Sequence, residues 1–83
     1  MYTLMIAPSG FPAEYTCYIT NEAGDIVETD RIVIDDLTSY AVLKGAERIV
    51  LQGNTDYCLG IKEEVEKKLA TEYANKNIKV EVI

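Results

Sequence analysis

Between residues 48 and 83 the hydrophobic period changes twice, and this constrains the fold more than any other feature of the chain. "RIVLQG" at 48–53 is mostly apolar with little alternation, the pattern of a central strand covered on both faces. Tyr57, Ile61, Val65, Leu69 and Tyr73 then step by four residues, the stripe of an amphipathic helix. Glu63 to Lys67 and Glu64 to Lys68 add i,i+4 charge pairs on its solvent side, each worth about 0.3 kcal/mol. Asn54 or Thr55 is the expected N-cap, and Asn75 or Asn77 the expected end. "NIKVEVI" closes as a strand, with Ile78, Val80 and Val82 alternating against Lys79 and Glu81. A strand, a crossover helix and a strand in one sheet must pair in parallel, with a right-handed crossover.

Upstream, Tyr2 to Ile6 is a short β-prone run, and "APSGFP" after it cannot join a ladder. Glu14 to Thr20 alternates strictly, with Tyr15, Cys17 and Ile19 on one face and Thr16, Tyr18 and Thr20 on the other. "NEAGD" at 21–25 is a hairpin loop, and "IVETDRIVI" the returning strand. Asp35, Asp36 or Thr38 then caps a short helix carrying Leu37, Tyr40 and Leu43 at helical spacing, with Gly45 to end it. The resulting fold class is α/β: order βββαβαβ, a five-stranded mixed sheet with two helices, residues 1–83 forming one domain.

Composition narrows the function. A net charge of −6 over 83 residues works against binding a polyanion, because lysine and arginine contacts to phosphate supply most of that affinity. Nucleic acid is therefore an unfavoured partner; the acidity suits solubility, a basic protein partner or divalent cations. The chain has no histidine, so imidazole catalysis and histidine-based zinc sites are excluded. Cys17 and Cys58 form neither a metal signature nor a redox CxxC, and each lies in an apolar pattern, so both read as buried free thiols. No apolar stretch approaches the ~20 residues of a membrane span, and "MYTLMIAPSG" lacks the basic start of a signal peptide. The expected location is the cytoplasm, with no cofactor and no metal.

The element order and several short stretches resemble the ribonuclease H family. "Ala7-Pro8-Ser9" stands where the family's first strand ends in Asp-Gly-Ser, and "NEAGDIVE" matches its hairpin turn. Ala41-Val42-Leu43 matches the Ala-Glu-Leu of its first helix. "Asn54-Thr55-Asp56-Tyr57-Cys58" matches the Asp-Ser-x-Tyr-Val after its fourth strand, and "KVEVI" its fifth strand. The resemblance implies two divalent ions held by clustered carboxylates on either side of a scissile phosphate. At the matching positions stand Ala7, Val42 and Asn54, which offer no carboxylate, and the family's last helix with its remaining acid has no counterpart here.

The expectation is therefore a degenerate, non-enzymatic member, a pseudoenzyme acting through protein contact to inhibit or adapt a larger enzyme, including one that handles nucleic acid. A small viral or mobile-element protein fits this description. Two alternatives stand beside it. One is a divergent metal-dependent nuclease using a displaced set, Asp35, Asp36 and Asp56. The other is a small-anion binder at Ser9, Asn54 and Thr55, in a crevice between residues 7–10 and 53–56 at a helix N-terminus. For contact, Tyr18 offers an aromatic surface if its sheet face is uncovered. Glu28, Asp30 and Arg31 mark an edge strand whose charges discourage pairing, and whose pairing would give a homodimer. Gly53 is expected in a tight turn; Gly60, inside the helix, costs up to about 1 kcal/mol against alanine and is expected to serve close packing.

Overall fold

The structure, a computed structural model, describes residues 1–10, 14–53 and 55–83. Strands β1 (Tyr2–Ile6), β2 (Glu14–Thr20), β3 (Ile26–Val33), β4 (Ala46–Leu51) and β5 (Lys79–Val82) form one five-stranded mixed sheet, in the order β3-β2-β1-β4-β5. Helices α1 (Leu37–Leu43) and α2 (Asp56–Glu72) complete the expected α/β, ribonuclease H-like architecture. β1, β2 and β3 form an antiparallel meander, whereas β4 pairs in parallel with both β1 and β5. Asn21 fixes the β2–β3 hairpin, its side chain accepting from the amides of Ala23 and Asp25, both at 3.0 Å.

Strand alternation sends Leu4, Ile6, Cys17, Ile19, Ile32, Ile49, Leu51 and Val80 to one face, where they meet Leu37 and Ala41 of α1 and Cys58, Ile61, Val65 and Leu69 of α2 in a single core. Both helices therefore lie on the same side of the sheet. The other face presents Thr3 and Met5, Thr16 and Tyr18, Thr29 and Arg31, Arg48 and Val50, and Lys79 and Glu81, the residues that alternate with the core set. Among the described residues no helix covers it. The two-sided burial expected for "RIVLQG" holds for Ile49, Val50 and Leu51, although among the described residues the helices lie only on the Ile49 and Leu51 side.

Three local expectations are corrected. Leu43 is 79% exposed, and the buried stripe of α1 is Leu37, Thr38 and Ala41. No side chain caps α1; the chain enters it from a 3₁₀ turn at Ile34–Asp36, which leaves Asp35 and Asp36 free of a capping role. α2 ends at Glu72, before the expected asparagines, where the Tyr73 amide donates to the Leu69 carbonyl. Gly45 ends α1 as expected, its φ of +71° being a left-handed value that glycine adopts freely. Gly53 leaves β4 at φ +121°, and its amide donates to the Ile83 carbonyl at 2.9 Å.

Candidate functional site

β1, β3 and β4 all finish at the same end of the sheet, because β1 and β4 run in parallel and the meander returns β3 to that direction. The 3₁₀ turn with Asp35 follows β3 there, and α2 starts there with Asp56. The two segments face each other across a cavity of about 490 Å³. Ile34, Thr38, Ile61 and Val65 supply its uncharged lining, and Gly60 leaves it open: a Cβ built at Gly60 would meet nothing within 4 Å. Close packing is therefore not the reason for this glycine.

Four carboxylates, Asp35, Asp56, Glu63 and Glu64, line this cavity against a single lysine, Lys68. Lys68 Nζ donates to the Asp35 carbonyl at 3.3 Å, so the expected pairing with Glu64 is replaced by a tie between α2 and the 3₁₀ turn. Among the described residues Glu63 and Glu64 take part in no ion pair. Asp56 sits in the first turn of α2, where a negative charge complements the helix dipole. Tyr57 also lines the cavity; burial, then the adjacent Tyr15, holds its phenol above its ordinary pKa.

The loops after β1 and β4 lie side by side, as expected. The Gln52 amide donates to the Ile6 carbonyl at 2.8 Å, and Cys58 Sγ lies 3.9 Å from the carbonyl oxygens of both Pro8 and Gln52. Thr55 is the N-cap of α2, its hydroxyl accepting from the Cys58 amide at 3.2 Å. That hydroxyl accepts from the helix, and the Asp56 carboxylate stands beside it in the first turn of α2. Asn54, expected both as cap and as site residue, lies outside the described residues.

Of the positions matched to the family's acids, Ala7 follows β1 at this end. Val42 does not join it: α1 descends from the 3₁₀ turn, which carries Val42 to a hollow shared with Gly45 and Ala46 at the start of β4, the opposite end of the sheet. The acid that α1's entry does bring to the strand ends is Asp35. Of the displaced set, Asp35 and Asp56 share the cavity, whereas Asp36 does not line it. Carboxylate oxygens are the donors hard divalent cations take, but among the described residues no three acidic or thiol groups lie close enough to hold an ion. The described residues therefore do not by themselves fit the two-ion arrangement.

As cavity residues Glu63, Glu64 and Gly60 escaped the sequence reading, which gave them surface charge pairs and close packing, although their spacing from Asp56 on one helix gave a signal. The approach of Tyr15 to Tyr57 had none, since 42 positions separate them.

The proposed contact residues divide. Tyr18, 38% exposed, and Arg31 lie on the helix-free face. Glu28 and Asp30 lie on the helix side, where Glu28 accepts from the Tyr40 hydroxyl at 2.9 Å and pairs with Lys44 Nζ at 2.7 Å. Lys44 first, then Tyr40, holds the Glu28 carboxyl below the usual carboxylate range. Burial raises the pKa of the Cys17 thiol nearby, and both cysteines are buried and free.

No family model and no curated protein matches the chain. Solved structures do. The chain is similar to a calcium-bound large terminase subunit fragment from bacteriophage Sf6 over 99% of its own length and 37% of that chain, at 14% identity and a TM-score of 0.72. It is similar to the nuclease domain of the same subunit with manganese and beta-thujaplicinol over 99% of its length and 36% of that chain, at 14% identity and a TM-score of 0.73. For the manganese form the TM-score is 0.68 at 15% identity. The chain spans little more than a third of the length of these chains. The expectation that it is no enzyme is contradicted by this likeness, since the fold is similar to that of nuclease domains. Among the described residues no helix is long and apolar enough to cross a membrane. In its fold the chain is similar to the nuclease domain of a phage terminase.

Proposed function

We propose that residues 1–83 form a divergent nuclease domain that acts on nucleic acid, with Asp35 and Asp56 as its site carboxylates. One observation carries this reading: both acids face a single cavity at the end of the sheet where β1 and β4 finish, in a fold shared with nuclease domains. The net charge of −6 repels a polyanion at long range, so affinity for the substrate backbone is low. The test is cleavage of labelled duplex DNA, single-stranded DNA and an RNA–DNA hybrid in manganese. The reading expects products with at least one substrate, lost in Asp35→Asn and in Asp56→Asn without loss of folding. Absence of cleavage on all three, or full activity in the double variant, overturns it.

Contact with a protein partner is a second reading, favoured by one observation: the aromatic Tyr18 is exposed on a sheet face that carries no helix. It needs no loss of chemistry, because that face and the cavity lie on opposite sides of the sheet.

A further inference from the structure

The cavity at the end of the sheet has a length as well as a charge. Asp56, Gly60, Glu63 and Glu64 line it from α2 at spacings of four, seven and eight residues, so they share one side of that helix. At 1.5 Å of rise per residue, Asp56 and Glu64 stand about 12 Å apart along its axis. Ile61 and Val65, both buried, give the cavity an apolar floor, and Gly60, midway between the two acids, adds bare backbone. The carboxylates of Asp35, Asp56, Glu63 and Glu64 form an exposed rim. Four carboxylates against Lys68 leave the lining at −3, half of the chain's −6. Among the described residues none of the four takes part in an ion pair, although the same helix carries Lys62 and Lys67.

The spread of these charges decides what kind of cation suits them. Among the described residues no three acidic or thiol groups lie close enough to chelate one ion. An elongated cation, with charges at both ends of an apolar stem, matches the two ends and the floor. A second observation is independent of the acids. Thr38 of α1 lines the same cavity and is only 3% exposed. Among the described residues its hydroxyl has no hydrogen-bond partner, yet no side-chain oxygen or nitrogen is sealed away unsatisfied. The hydroxyl is therefore open to the cavity that Thr38 lines, an acceptor waiting in a largely buried wall.

We propose that this cavity binds a linear aliphatic polyamine. One terminal ammonium lies at Asp56 and the other at Glu63 and Glu64, with the methylene stem on Ile61 and Val65 beside Gly60. An inner ammonium donates to the Thr38 hydroxyl, and a triamine brings the three positive charges that balance the lining. The proposal goes beyond the nuclease reading and does not rest on it, since binding is read with neither metal nor nucleic acid present.

The probe is spermidine, titrated at low ionic strength into the isotope-labelled full chain and followed by NMR, beside butylamine, magnesium and a short lysine peptide. Saturable shifts at Thr38, Gly60 and Ile61 are expected, with spermidine the tightest of the four. Thr38→Val should weaken it about fivefold, the loss of one hydrogen bond. Asp56→Asn combined with Glu64→Gln should weaken it roughly tenfold, and because these are exposed isosteric changes the fold stays intact. Glu72→Gln, which removes an exposed carboxylate at the far end of α2, should leave binding within about twofold. Shifts scattered over the surface acids, or equal weakening by Glu72→Gln, mean a diffuse counterion and overturn the proposal. So do the absence of saturable shifts and magnesium or butylamine binding as tightly as spermidine. A lysine peptide that moves the same residues more tightly makes a protein the source of the ammonium and overturns it too. A chain that binds spermidine and cleaves nothing overturns the nuclease reading alone; one that cleaves and binds no spermidine overturns the polyamine site alone.

Discussion

Replacing Gly60 by alanine should make this protein more stable and less active at once. Glycine inside a helix costs about 0.8–1.0 kcal/mol against alanine, because it gives up more backbone freedom on folding. Two things normally make such a glycine necessary, a left-handed backbone or a neighbour that leaves no room for a Cβ. Gly60 has neither: it is not among the positive-φ glycines, and a Cβ there meets nothing within 4 Å. The full propensity difference should therefore appear as stability. For a chain of this length 1 kcal/mol corresponds to about 4–8 °C in the melting temperature. The assay is thermal and urea denaturation of Gly60→Ala beside Ala70→Gly, an exposed site on the same helix that should show the mirror-image loss. The new methyl would project into the cavity between Asp56 and Glu64, so cleavage should fall as stability rises, the usual exchange at a working site. An unchanged or lower melting temperature for Gly60→Ala refutes the reasoning, because it would mean that the helix already uses the missing Cβ.

Other outcomes follow from single contacts. Thr55→Ala should cost about 1 kcal/mol by removing the N-cap of α2, with Thr55→Ser restoring most of it, as read from urea midpoints. Leu37→Ala should cost about 2–5 kcal/mol, since the side chain is wholly buried at the entry to α1; a loss below 1 kcal/mol would deny α1 its place in the core. Glu28 should titrate below the usual carboxylate range in NMR, and Lys44→Met should move it up further than Tyr40→Phe does. Because its native pKa is depressed, the stability it brings is full above the unfolded carboxylate value and is lost as the pH falls through the native value. The acid limb of the stability curve should therefore flatten in Lys44→Met.

The order of elements was legible because each carries its own period. Strict alternation in Glu14–Thr20 and the four-residue steps of α2 act locally, and the parallel pairing of β4 and β5 follows from the helix between them. α1 was misread in its faces because it is only seven residues long. Over two turns the stripe Leu37–Tyr40–Leu43 and the stripe Leu37–Thr38–Ala41 are equally periodic, and the packing of α1 on β4 decided between them. The same ambiguity carried the candidate site astray. Matching Val42 to an acid of the family assumed that α1 brings its middle to the strand ends, whereas the 3₁₀ turn places Asp35 there instead. The unbroken apolar run of "RIVLQG" announced the burial of Ile49, Val50 and Leu51 but not that, among the described residues, both helices would lie on one side.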